Sequence, residues 1–162
     1  MKLRSLRLDR VLSLLFAVVG LAACSGEDCP INNTVRGKMA FYGESGDAAS
    51  FVGELTVSVV RPQGDSVVLN RKTNASEVLF PLSYANEIDT FVFDYAGVSC
   101  DSIYVSHANI PTLVSVDCGV AMFHVINSVS STHNEIDRLI LKSSDVNYDE
   151  RENIQVIYRI AD

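Results

Sequence analysis

Leu55-Thr56-Val57-Ser58-Val59 is the stretch that decides the fold. Three aliphatic residues alternate with two hydroxyl residues. A pleated strand sends Leu55, Val57 and Val59 to one side and Thr56 and Ser58 to the other. A helix would scatter the same residues around its circumference. Pro62-Gln63-Gly64-Asp65 follows, with proline and glycine placed as a turn requires, and Val67 and Leu69 resume the alternation. The period of two recurs in Val78, Phe80 and Leu82, in Phe91, Phe93 and Tyr95, and in Ile103 and Val105. At the C-terminus Ile154, Val156, Tyr158 and Ile160 stand opposite Gln155 and Arg159. Short runs rich in Val, Ile, Phe, Tyr and Thr, broken by Gly, Asn, Asp and Ser, read as an all-β chain. The expectation is a single antiparallel β-sandwich, immunoglobulin-like in architecture. Asn134 to Leu141 is the stretch that could give one short helical turn.

The N-terminus follows different rules. Lys2, Arg4, Arg7 and Arg10 form a cationic segment, and Val11 to Leu21 is apolar apart from Ser13 and Gly20. That layout reads as a secretory signal, too short for a comfortable membrane span. Its end is Leu21-Ala22-Ala23-Cys24. Two small residues let the chain lie extended in a narrow peptidase cleft, and the thiol of Cys24 can carry a diacylglyceryl thioether. Leu21, Ala22 and Ala23 are thus the expected signal peptidase recognition residues, and Cys24 is the expected lipidation site. The expected organisation is a signal peptide over 1–23, a lipidated tether over 24–33 and a β-sandwich over 34–162. Attachment to a membrane would come from acyl chains alone, each buried methylene contributing roughly 0.8 kcal/mol. Ser25 follows the cysteine, and Glu27-Asp28 resembles a short form of an acidic export signal of Bacteroidota lipoproteins, which leaves surface and periplasmic display both open.

The whole chain has 13 basic and 20 acidic residues; removing 1–23 takes four basic residues and one acid, leaving nine against nineteen, a net −10. Such a surface repels phosphate backbones, so nucleic acid is excluded as an expected partner. With Cys24 acylated, Cys29, Cys100 and Cys118 remain, which allows one disulfide and one leftover thiol. Cys29–Cys118 would close a loop of about 90 residues and contribute roughly 4 kcal/mol. Cys100–Cys118 is the competing pairing, since both lie near strand ends. An unpaired Cys100 reads most simply as a small buried hydrophobe.

No catalytic constellation stands out. There is no GxSxG, no HExxH and no phosphate-cradling glycine loop, so no enzyme and no cofactor are expected. His107, His124 and His133 lack the tight spacing of a strand or helix metal site, and His124 alternates with Met122 and Ile126 as a half-buried strand residue would. Asp145-Val146-Asn147-Tyr148-Asp149 begins like a calcium loop, but Glu150 stands where the turn needs glycine and Val156 where a bidentate Glu belongs. A polar connection between strands explains it better. Asp65-Ser66-Val67 and Asp101-Ser102-Ile103 fit a three-residue O-glycosylation motif of Bacteroidota, and equally fit a turn handing over to a strand.

Asp28-Cys29-Pro30-Ile31-Asn32-Asn33, Asn70-Arg71 with Ala75-Ser76-Glu77, Pro81-Leu82-Ser83-Tyr84-Ala85-Asn86, Asp89-Thr90-Phe91, Ser115-Val116-Asp117-Cys118 and Val146-Asn147-Tyr148-Asp149 carry a resemblance. The chain resembles a family of small Bacteroidota outer-membrane lipoproteins catalogued as a domain of unknown function. The resemblance implies paired cysteines at Cys29 and Cys118, and places Cys100 where such proteins more usually show Thr. Genes of that family often neighbour one for an outer-membrane β-barrel, which implies such a barrel as a partner. The sequence thus leads to a lipid-anchored, non-enzymatic binding or accessory module of the outer membrane, working with another envelope protein. The alternative is a surface glycan-binding accessory lipoprotein, for which Tyr42, Tyr84, Tyr104 and Tyr148 are the candidate exposed aromatics.

Overall fold

The computed structural model describes Cys29 and residues 34–159. Leu21, Ala22, Ala23, Cys24 and Ile160 lie outside the described residues. The strands are β1 (Arg36–Tyr42), β2 (Phe51–Val59), β3 (Ser66–Ala75), β4 (Glu77–Pro81), β5 (Ile88–Tyr95), β6 (Ser99–Ser115), β7 (Gly119–Ser131), β8 (Ile136–Leu141), β9 (Asp145–Val146) and β10 (Glu152–Tyr158). They form a four-stranded sheet, β4-β1-β10-β8, and a six-stranded sheet, β3-β2-β5-β6-β7-β9. Among the described residues there is no helix: the Asn134–Leu141 stretch becomes β8, antiparallel to β10 with Leu139 opposite Val156. The sandwich is also not wholly antiparallel. β1 and β10 run parallel, with Phe41 opposite Val156, because the first and last strands of the sheet both start at the same end.

The period-two residues fill the space between the sheets. Leu55, Val57, Val59, Phe80, Phe91, Phe93, Ile103, Val105, Ile154 and Val156 are buried in one cluster. Phe41 meets Phe93 and Tyr158 edge-on, and Phe80 meets Phe91 edge-on, as aromatic quadrupoles favour. Val67 breaks the pattern. It stays exposed because a register shift pairs it with Ser58, on the outer face, while Leu69 still pairs with Val57; β3 is an outer strand that also carries Arg71 and Asn74 at positive φ. Such irregularity blunts an edge against pairing with other chains. Gly37 faces Phe80 across β1 and β4, and a Cβ there would come within 2.8 Å of both Cε atoms of that ring.

Three buried polar side chains hold places where the chain passes from one sheet to the other. Asp101 on β6 accepts hydrogen bonds from the Thr132 hydroxyl and from the backbone N–H groups of Asn134, Glu135 and Ile136, the segment that carries β7 over to β8. Asp89 on β5 accepts from Ser83 N–H, at the crossing from β4 to β5. Asn153 on β10 donates to the carbonyls of Ser143 and Asp145, at the crossing from β8 to β9, and accepts from Lys38 N–H. Cys29 and Cys118 are joined in a disulfide. Cys100 is free and exposed, not the buried hydrophobe its composition suggested, because it alternates out of phase with Asp101 and Ile103, which point inward.

Gly37→Ala is expected to lower stability by about 1–3 kcal/mol through overpacking against Phe80, read as a lower urea midpoint at unchanged slope. Asp101→Ala strands several buried donors and is expected to cost about 3–5 kcal/mol, measured in the same way.

Candidate functional site

The two ends of the sandwich carry different chemistry. At the end where β1 begins, Asp89 is buried and ion-paired with Arg61, and its second oxygen lies 3.1 Å from His107 Nε2. His107 sits on β6 just past a bulge between Ser106 and His107, and His124 comes from the neighbouring β7. Both imidazoles are fully buried, and their rings meet edge to face at 5.3 Å. His124 Nδ1 lies 2.7 Å from the Asn109 side-chain oxygen. Asn109 in turn donates its amide hydrogens to the carbonyls of Tyr84 and Asn86, which fixes its oxygen towards the histidine. Tyr84 stacks on His124 from the β4–β5 loop. Burial, then the neighbouring His107, hold the His124 imidazole down at about 4, against a weaker upward pull from Asp89.

Beyond this cluster β6 and β7 leave the sandwich. β5 starts at Ile88, opposite Ser106, and His107 N–H still donates to the Glu87 carbonyl, so β6 from Ala108 onward pairs with β7 alone. The pleat continues the inward face as His107, Asn109, Pro111 and Leu113, opposite Ile126, His124, Met122 and Val120. No facing sheet covers its far half: Leu113 is 65% exposed and Val120 59%. Val116 at the tip is 94% exposed. Between His107 and Asn127 the sequence has a single charged residue, Asp117. On the opposite face Phe123 is packed edge-on against Tyr148.

At the other end of the sandwich Asp101, Tyr95 and Tyr158 form a buried polar knot. Tyr95 donates to Asp101, and burial, then Tyr158 and Asp101, push the Tyr95 phenol well above its ordinary value. Burial raises the Asp101 carboxyl, but the hydrogen bonds from Thr132 and three backbone N–H groups outweigh it and hold the group below its usual range. Beside this knot lies a cavity of about 550 Å³ walled by Phe41, Phe51 and Tyr158, with Glu135 and Arg159 also in its lining.

The sequence-singled residues are dispersed. His133 is exposed and meets the Ile136 carbonyl, away from the His107–His124 pair. Among the described residues no three His, Cys, Asp or Glu side chains converge as a metal-holding group. Asp145 belongs to β9, its carbonyl accepts from Asn153, and Asn147 caps Asp149, so the calcium-like string is a strand and a turn. Tyr42 donates to Glu152, Tyr84 covers His124 and Tyr148 packs on Phe123, so the candidate aromatics make no common platform. Ser66 is exposed, whereas the acidic partner of Ser102 is Asp101, already committed to the knot. The His124 environment escaped the sequence reading, which placed it as half-buried. Asn109 and Tyr84, the residues that enclose it, lie fifteen and forty positions away and carry no local signal.

The segment from β2 to β10 matches a family model. The chain belongs to DUF6452, a family of unknown function. The match runs over residues 54–158 and so takes in Asp89, Asp101, His107, His124, Asn153 and the β6–β7 ribbon of this DUF6452 chain. No curated protein and no solved structure matches it.

The depressed His124 fixes a sign for acid sensitivity. The unfolded chain takes up a proton near pH 6.5 that the folded DUF6452 domain refuses until about 4. Stability is therefore complete above pH 6.5 and falls as pH drops towards 4, by an amount on the order of 3 kcal/mol. His124→Gln is expected to flatten urea midpoints across that window, while the loss from Asp101 begins only below it.

Proposed function

We propose that the protein is a lipid-anchored module of the outer membrane that works by binding another envelope protein, without catalysis. In this reading residues 1–23 are a signal peptide of a Bacteroidota lipoprotein, and Cys24 carries the lipid after cleavage behind Leu21-Ala22-Ala23. The sandwich, which we read as immunoglobulin-like, serves as a scaffold that presents its binding residues on an extension. One observation carries the binding surface. The inward face of the β6–β7 ribbon runs past the sandwich as Pro111, Leu113, Val120 and Met122, with Leu113 and Val120 well exposed. Apolar residues exposed side by side on one face mark an interaction site where scattered ones do not, and a stretch of 21 residues with one charge matches the charge-poor centre of protein interfaces. An outer-membrane β-barrel protein is the partner we favour, since it offers an apolar exterior and loops at the same membrane surface. A glycan-binding role has less support, because sugar stacking wants aromatics on one platform and Tyr42, Tyr84, Tyr104 and Tyr148 are spread over separate elements.

The test is affinity capture from detergent-solubilised membranes with the wild-type protein and a Leu113→Asp/Val120→Asp variant. We expect mass spectrometry to identify an outer-membrane protein that the variant recovers at least ten-fold less. Capture that is absent, or equal in the two, overturns the binding surface. Cys24→Ala is expected to move the protein from the membrane to the soluble fraction without changing its urea midpoint.

A further inference from the structure

We infer that His107 Nδ1 and His124 Nε2 are the nitrogen donors of a Cu+ site at the Asp89 end of the sandwich. The argument starts from tautomers. Asp89 accepts from Arg61 and from Ser83 N–H, so the ring nitrogen facing it, His107 Nε2, is assigned as a donor and carries the proton. Asn109 gives both amide hydrogens to backbone carbonyls, so its oxygen faces His124 Nδ1, and that nitrogen carries a proton too. The remaining nitrogens, His107 Nδ1 and His124 Nε2, are then lone-pair acceptors. Both are buried and neither has a hydrogen-bond partner. Two buried acceptors left unmet on adjacent rings are costly, and the cost disappears if a cation takes both lone pairs.

The surroundings are those of metal-bound imidazoles. A carboxylate on the far nitrogen of one ring and an amide oxygen on the far nitrogen of the other fix the tautomers and orient the ligands. The ring centroids lie 5.3 Å apart at 87°. Two imidazoles that share a linear, two-coordinate ion at about 2 Å from each nitrogen have centroids roughly 6 Å apart, so the rings would open by less than about 1 Å to take one ion between them. Charge selects the ion. Both donors are neutral, and Asp89 is already matched by Arg61, so a monovalent ion is buried at less cost than a divalent one. Zn2+ would also want four ligands, and no third His, Cys, Asp or Glu among the described residues joins the pair. Cu+ accepts imidazole nitrogen and tolerates a low coordination number. Tyr84, 52% exposed, covers one face of the His124 ring and leaves its in-plane nitrogens to other neighbours.

The experiment uses the full-length, detergent-solubilised protein carrying Cys100→Ser, which removes the exposed thiol as a competing copper ligand. Anaerobic titration against the Cu+ chelator bicinchoninate is expected to show one equivalent withdrawn per chain. His107→Gln and His124→Gln are each expected to weaken that binding at least ten-fold. Long-range 1H–15N spectra of the Cys100→Ser protein make the result independent of how well the variants fold. Cu+ should shift His107 Nδ1 and His124 Nε2 while His107 Nε2 and His124 Nδ1 keep their protons. No copper withdrawn, unchanged affinity in the variants, or spectra insensitive to Cu+ would overturn the site. Zn2+ binding as tightly as Cu+ would overturn the choice of ion.

Discussion

The carboxylate of Asp101 is the constraint on which the rest of the sandwich depends. A two-sheet fold must repeatedly lead its chain across the gap between sheets, and each passage carries backbone N–H groups through a space meant for side chains. At the β7–β8 crossing those groups find a single acceptor. One buried carboxylate gathers three consecutive N–H groups, a threonine hydroxyl and the Tyr95 phenol. Its own ionisation is secured by the same donors, so the crossing and the charge hold each other in place. Asp89 repeats the device at the opposite end, with Arg61 supplying the counter-charge, and Asn153 does so with a neutral amide where carbonyls need donors. Hydrophobic burial holds the sheets together, and these three polar residues decide where the chain changes sides.

That division explains what could be read in the sequence. Strand faces are local: Leu55, Val57, Val59, Phe91, Phe93 and Tyr95 declare their sides through a period of two that no distant residue alters. The exceptions have local causes of another kind. Val67 keeps a period of two with Leu69 in the sequence, but a bulge sets it opposite Ser58 on the outer face, and Asn134 to Leu141 admitted one short turn because its donors to Asp101 lie more than thirty positions from that acceptor. The parallel pairing of β1 with β10 was beyond reach for the same reason, since strands separated by more than a hundred residues leave no mark of direction in either. Cys100 shows the reverse: its position out of phase with Ile103 was visible, and the burial usual for a free cysteine was the weaker guide.

The histidine cluster and the ribbon arise from one architectural fact, that β6 and β7 are longer than the strands beside them. Where β5 ends, the inward face of the hairpin loses its opposite wall. Nearest the sandwich, that face is still covered and holds His107, His124 and Asn109; farther out it is bare and carries Pro111, Leu113, Val120 and Met122. A polar, enclosed zone thus borders an apolar, open one on the same surface, with the Tyr84 loop between them. In the sequence neither zone is marked, because Met122 and His124 read alike as alternating strand residues.

The parallel registry of the first and last strands has a mechanical meaning. β1 begins at the end of the sandwich where β10 also begins, so β10 finishes at the far end, and the two points where the chain leaves this pair are a strand length apart. Tension applied between those points drags the strands past each other along their length. Every hydrogen bond from Lys38–Glu152 to Tyr42–Ile157 then bears load at once, where a hairpin would unzip one rung at a time. A domain whose first and last strands are paired in this way resists rupture most along the line that joins its two ends.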